Sequence, residues 1–254
     1  MNTPSLHLVR ALLATGMLTY AAYEDIRTRE VHDLVWIIFG VPGIILDLFQ
    51  LSQGSLDWRS FILSLTISLI FSALALVAHL FGEADVLAII TLTILHPVYP
   101  TIHKPIGLPG LIFPLTVLTN SALIGASSTF IYLIKNLSSQ HNGNYLFPEH
   151  KTEGLVKKLT VLFTGTRIKV KQIRGPPFQY PLENIGEQGE KILLIRPNIN
   201  DDHEANRIFD NFSQAGVEYT WVSYTLPFLF IIFLGYYTTL FIGDIILSIL
   251  FLVA

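Results

Sequence analysis

From Phe61 to Leu80 the chain carries no Asp, Glu, Lys or Arg. A helix of about 20 residues rises about 30 Å, the thickness of a bilayer's hydrocarbon core. The run is one of six apolar segments, at roughly 6–24, 33–51, 59–81, 84–98, 106–135 and 222–251. Charged residues make up 14% of the chain, well below the roughly 25% of soluble domains. Mean hydropathy is +0.53. A soluble α protein would have to bury charge-free lengths such as Phe61–Leu80. The expected fold class is therefore an all-α polytopic membrane protein with about six transmembrane helices.

The composition also excludes chemistry. There are no cysteines, which removes disulfides and Cys-ligated zinc or iron–sulfur sites. The eight histidines show no metal-ligand spacing, and His79, His96 and His103 sit at segment ends. No metal or cofactor is expected. The net charge of −3 carries no sign of nucleic-acid binding. The first nine residues lack Lys and Arg, a poor signal-peptide start, so 6–24 reads as a retained helix. Asn2 stands where myristoylation needs glycine. Trp36, Trp58 and Trp221 lie near segment ends, as in an aromatic belt.

Two segments depart from a simple span. The fourth has only about 15 residues, or ~22 Å, and suits a helix that starts inside the membrane or is surrounded by protein. Pro109 and Pro114 make the start of the fifth irregular. Between 136 and 221 the chain turns polar and, with Lys135, holds eleven of the sixteen Lys and Arg. This is the expected small α+β soluble insert between helices five and six. The domains are then 1–135 (membrane helices one to five), 136–221 (insert) and 222–254 (sixth helix and C-terminus). In the insert, Thr166–Gln172 alternates like a half-buried strand, and Lys191–Arg196 also reads as strand. Asp201–Gln214 reads as a helix, closed by Gly216. Ser138–Asn144 and Gly175-Pro176-Pro177 read as loops. The alternating Arg167, Lys169, Lys171 and Arg174 suit a solvated face better than a lipid contact.

Asp25 and Asp85 stand at segment boundaries. Asp25 follows the first segment in Tyr23-Glu24-Asp25-Ile26-Arg27-Thr28-Arg29, and Asp85 opens the fourth in Gly82-Glu83-Ala84-Asp85. Counting six spans puts the end of the first and the start of the fourth on one side of the bilayer, with the insert. Arg27, Arg29, Lys135, Lys151 and Arg207 flank that side, and Arg10, Arg59 and Lys104 flank the other. The bias favours a cytoplasmic site and outward-facing termini. Two close carboxyls cannot both ionise cheaply, so one holds a proton and the other accepts one from water. Gly82 would permit close backbone approach or a positive-φ turn. The bland alternative makes each aspartate a helix-end charge.

The sequence Asp25-Ile26-Arg27-Thr28-Arg29-Glu30-Val31-His32-Asp33-Leu34-Val35-Trp36, followed by Gly82-Glu83-Ala84-Asp85-Val86-Leu87-Ala88, resembles the archaeal branch of type IV prepilin peptidases. These are GxGD-type membrane aspartyl proteases, and the likeness is greatest to the preflagellin (prearchaellin) peptidases. It extends to Tyr219-Thr220-Trp221-Val222, Leu226-Pro227-Phe228 and Gly243-Asp244. The resemblance implies that Asp25 and Asp85 are the catalytic pair, with Gly82 and Ala84 as motif support. It implies removal of short basic class III signal peptides from archaellin or pilin-like precursors at the cytoplasmic face of an archaeal cell membrane. Cleavage would follow a small residue, typically Gly, and precede a hydrophobic helix. The partners implied are those precursors and the lipid bilayer. No feature points to an oligomeric state.

Departures bear on mechanism. Ala84 replaces the motif's second glycine, and Leu87 stands where many relatives carry Lys. A cation at that position is therefore not available to the mechanism. The cysteine-bearing insert of bacterial relatives and any S-adenosylmethionine-type loop are absent, so no N-methylation is expected. Glu24, Glu30, Asp33 and Glu83 cluster near the pair and are candidates for contacts to the basic leader. A solvated boundary is the plainer reading of each. Asp244 lies over twenty residues into the last segment, ~30 Å from the pair, and reads as structural or an outer anchor. The competing functions are a proton-coupled transporter using the aspartates as a relay, and a non-catalytic scaffold with a vestigial pair.

Overall fold

Apolar residues at three- and four-residue spacing form helices that present one face inward. The computed structural model describes residues 3–78, 81–141, 146–150, 152–186, 189–196, 198–199 and 201–253. His79 and Lys151, used above as a boundary residue and a flanking charge, lie outside them, as do residues 142–144 of the expected loop. Two compact units result, one of Met1–Gly125 with Pro227–Ala254 and one of Ala126–Leu226.

The first unit is helical. It contains α1 (Thr3–Thr28), α2 (Leu34–Ser52), α3 (Trp58–Val77), α4 (Glu83–Leu95), the first part of α5 (Phe113–His141), α8 (Phe228–Phe241) and α9 (Ile245–Val253). Among the described residues, three helices are long and apolar enough to cross a membrane: α2, α3, and α5 over Phe113–Ser139. The pair α8 and α9, bent by 48°, makes a fourth if it is one span. The outward faces of α2 and α3 carry large apolar side chains, with Ile38 and Leu48 both 62% exposed and Leu74 63% exposed. Such faces are costly in water and suit lipid.

The short α4 is central, touching α1, α2, α3 and α8. Its buried residues Val86, Ala88, Ile89, Leu92 and Leu95 leave few positions for lipid. Around it, Ala14, Met17, Leu18 and Ala21 of α1 meet Phe113 and Val117 of α5 and Leu229, Ile232 and Tyr236 of α8. The two expected prolines in the fifth segment act as anticipated: residues before Phe113 are not helical, and Pro114 sits in the first turn.

The last segment differs from its expected form. Residues 222–224 belong to a strand, and the helix begins only at Phe228, after Pro227. It breaks again at Gly243, which has φ +96°. Asp244 caps α9 by accepting the Leu247 N–H at 2.9 Å, and its own N–H donates to Leu108 O at 2.8 Å. Its role there is structural.

The second unit contains the rest of α5, α6 (Leu155–Thr164), α7 (Asp202–Gln214) and five short strands. Strand β5 (Tyr219–Tyr224) is central in an antiparallel sheet, between β1 (Gly165–Lys169) and β2 (Gln179–Pro181). Strands β3 (Glu183–Ile185) and β4 (Lys191–Leu193) form a second ladder. Thr220, Trp221 and Val222 of β5 are fully buried, and the apolar end of this strand, from Val222, is what merged with the expected sixth helix. The expected strand 166–172 stops at Lys169 and tightens into a 3-10 turn, and 191–196 is strand only to Leu193. Helix α5 continues to His141 through the start of the expected 138–144 loop. Helix α7 matches its expectation, capped by Asp201 on the Glu204 N–H at 2.9 Å, with Gly216 at φ +66°.

Candidate active site

Asp25 lies on the buried face of α1, in register with Ala14, Met17, Leu18 and Ala21, and is 8% exposed. Its Oδ2 accepts the Leu229 N–H at 2.9 Å. That donor is in the first turn of α8, which has no side-chain cap because Pro227 holds that position. Asp25 therefore supplies from another helix the acceptor that α8 lacks. Its Oδ1 lies 3.8 Å from Arg29 Nη1. Arg29 ends α1 in the left-handed region, φ 64°, which is uncommon for a non-glycine residue. That conformation turns the chain back over Asp25.

Asp85 is in the first turn of α4 and partly buried. Its Oδ2 accepts the Gly82 N–H at 3.0 Å. It borders a small apolar cavity with Ser72 and Ala75 of α3, Phe81, Ile89 and Leu118. Asp25 and Asp85 belong to α1 and α4, which pack against each other. An aromatic contact links their supports: Phe81, next to Gly82, stacks on Phe228 with centroids 4.9 Å apart. Phe228 directly precedes the N–H that holds Asp25.

The expected reason for Gly82 is not met. Its φ is −73°, an ordinary extended value, and an added Cβ would meet only Asp85 Oδ2 at 3.5 Å. What Gly82 contributes is its N–H, which any residue but proline has. Ala84 is partly buried and packs on the helical core, as does Leu87. Around the pair, Glu30, Asp33 and Glu83 are exposed and Glu24 is partly buried. Thr28 Oγ1 ties the turn after α1 by donating to the carbonyls of Glu24 and Glu30, both at 2.9 Å. Among the described residues, no group of three or more His, Cys, Asp or Glu could hold a metal.

One buried constellation escaped sequence reasoning. Arg10 is 1% exposed and pairs with Asp47 at 2.7 Å. It also donates to Gln50 Oε1 at 2.8 Å and to the carbonyls of Ile94 and Leu95 at 3.1 and 3.2 Å. The guanidinium thus joins α1, α2 and the C-terminal end of α4. Fifteen residues of helix separate Arg10 from Asp25, or ~22 Å, so it belongs to the opposite end. It is not an interfacial charge, as the flanking-charge comparison had counted it. The available signal was one lone cation and one lone acid in adjacent apolar segments.

The comparisons with known proteins come from both ends of the chain. The profile of the Type IV leader peptidase family matches residues 12–131, which include Asp25 and Asp85. The profile described as Archaeal Peptidase A24 C-terminus Type II matches residues 157–245. The chain is similar to the preflagellin peptidase of Methanococcus voltae, 28% identical over 243 residues, covering 92% of this chain and 94% of that one. It is also similar to the preflagellin peptidase of Methanocaldococcus jannaschii, 27% identical over 246 residues, with 93% and 94% covered. A third, from Methanococcus maripaludis, is 26% identical over 257 residues, with 96% and 99% covered. With apolar helices and both profiles in sequence order, the chain belongs to the archaeal type IV leader (prepilin) peptidase family.

Proposed function

We propose that this protein is a membrane aspartyl endopeptidase that removes short basic signal peptides from archaellin or pilin-like precursors. The observation that supports the reading is two carboxyls, one buried and one partly so, on α1 and α4, helices that pack against each other and would bring the pair close. Like charges that close cannot both ionise cheaply, which favours one proton shared between them. One carboxylate takes a proton from water as its oxygen attacks the scissile carbonyl carbon. The other, protonated, donates to the carbonyl oxygen. Collapse of the tetrahedral species then breaks the C–N bond and returns a proton to the leaving amine. The Arg29 guanidinium beside Asp25 favours its ionised form, so Asp25 is assigned the base and Asp85 the acid.

Six spans are part of the proposal: α1, α2, α3, α4, α5 and the bent pair α8–α9. In that arrangement α1 and α4 are spans sheathed by other helices, and the domains follow the 1–135, 136–221 and 222–254 division. The end of α1 and the start of α4 then share a side. With Arg10 buried in an ion pair, only Arg59 and Lys104 remain as flanking charges opposite. This strengthens the case for a cytoplasmic site. Glu83, Glu30, Glu24 and Asp33 would face the Lys/Arg-rich leader.

The test is direct. Membranes containing the protein are incubated with an archaellin or pilin precursor, and the product's new N-terminus is read by mass spectrometry. Normal processing by Asp25→Asn or Asp85→Asn variants would end the aspartyl reading.

A further inference from the structure

Within Phe113–Ser139, α5 is long and apolar enough to cross a membrane, and about 20 residues from Phe113 suffice to do so. Near its end, Asn136 is buried and its amide donates to the carbonyls of Leu162 at 3.0 Å and Gly165 at 2.8 Å. Those carbonyls close α6 and open β1. The C-terminal end of α6 is therefore pinned beside the last turns of a span, at the depth where headgroups lie.

Helix α6 has two apolar sides. Val161 and Leu162 pack into the core of its unit, with Leu182 and Trp221. Leu155, Val156 and Leu159 point outward, 78%, 73% and 51% exposed. Their i, i+1, i+4 spacing puts them along one side. Lys157 and Lys158 stand on the remaining arc, Lys157 bonded to Glu153 at 2.9 Å. An exposed apolar stripe bordered by lysines is the pattern of a helix lying in a membrane surface.

Beside the same junction is a cavity of about 190 Å³ lined by Lys135, Ser139, Thr166, Arg167 and Tyr219, with Asn136 and Leu146. Among the described residues, no acidic side chain lines it. The Arg167 guanidinium lies over the Tyr219 ring, 5.2 Å from its centre. Glu149, which Lys191 also holds, approaches Arg167 to 3.6 Å. Two cations and three hydroxyls in one opening suit a phosphate group.

The geometry points to a lipid site: α6 lies in the bilayer surface by Leu155, Val156 and Leu159, and the cavity beside it takes the phosphate of an anionic phospholipid. The inference rests on α5 being a membrane span but not on the peptidase reading. It reverses the expectation that Arg167 belongs to a merely solvated face.

The chain's lack of cysteine makes the test clean. The full-length protein, reconstituted in phosphatidylcholine bilayers with and without phosphatidylglycerol, carries Leu159→Cys, Asn211→Cys (exposed on α7) or Ile45→Cys (outer face of α2). A charged, impermeant maleimide reads access. Leu159→Cys is expected to react at least about tenfold more slowly than Asn211→Cys, and more slowly still with phosphatidylglycerol. The phosphatidylglycerol effect should vanish with Lys135→Gln or Arg167→Gln and survive added inorganic phosphate. Equal labelling of Leu159→Cys and Asn211→Cys, with Ile45→Cys protected, overturns the proposal alone. Free labelling of Ile45→Cys removes the membrane reading and the proposal with it. Reversal by inorganic phosphate overturns the lipid as ligand.

Discussion

Asp25 Oδ2 accepts the backbone N–H of Leu229 at 2.9 Å, across 204 positions of sequence. A residue proposed for catalysis is thus also the N-terminal cap of another helix. Asp85 does a related job within its own helix, as the third residue reaching back to the Gly82 N–H at the cap. The helix-end role and the proposed acid/base role are compatible, and substitutions can separate them.

Asp25→Asn keeps a side-chain oxygen for Leu229 but cannot act as a base. It is expected to abolish precursor cleavage while leaving thermal stability in detergent near that of the parent. Asp25→Ala should abolish cleavage and also lower stability by about 1–2 kcal/mol, the cost of a lost cap. Equal stability of the two variants would mean that the cap contributes nothing.

Removing Arg29's charge, as in Arg29→Met, should move the acidic limb of the pH–rate profile upward. The sign follows from the proposed roles. Asp25 must be ionised to accept a proton, the guanidinium 3.8 Å away favours that ion, and without it ionisation requires higher pH. A limb that stays in place, or moves down, would reassign the base.

Breaking the Arg10–Asp47 pair should be costly. Asp47→Ala strands a guanidinium that is 1% exposed, at a cost of about 3–5 kcal/mol. The double variant Arg10→Met/Asp47→Leu removes both charges and should recover most of that loss. Thermal unfolding in detergent measures both.

Charge reversal at Glu83 and Glu30 tests the leader contacts. Each should raise KM for a Lys/Arg leader several-fold with little change in kcat, because an exposed charge acts mainly through encounter and binding. An uncharged leader should be indifferent. Unchanged KM in both variants would return these acids to a solvated boundary.

Gly235→Ala should damage the α5–α8 contact. An added Cβ would lie 2.0 Å from Ser121 Oγ and 2.8 Å from Val117 O. The expected cost is about 1–3 kcal/mol. Gly40→Ala is the control, since its Cβ would meet only Thr91 Cγ2 at 3.7 Å. Parallel unfolding curves for the two would contradict the close approach.

Much of this was legible in one dimension. Long apolar lengths marked α2, α3 and α5, and the shift to a polar composition located the insert. The boundary carboxylates with their flanking residues pointed to the family. Local rules also found the Asp201 cap of α7, because a cap needs only its own helix. They failed at 222–224, where the start of an apolar run was the end of a buried central strand rather than the start of a helix. Run length does not separate the two; the partners β1 and β2 do.

What the sequence by itself determined is therefore which segments are apolar, where the carboxylates stand and what company they keep. Tertiary structure decided which polar groups are buried and against what. Arg10 reads as a flanking charge until Asp47, Gln50 and the end of α4 surround it. Gly82 reads as a conformational hinge until its φ of −73° shows a plain N–H donor. Asp25 reads as a helix end until α8 arrives with uncapped N–H groups. Each outcome depends on a hydrogen-bond partner from a distant segment. The cost of burying a polar group is set by such partners, which local pattern does not contain.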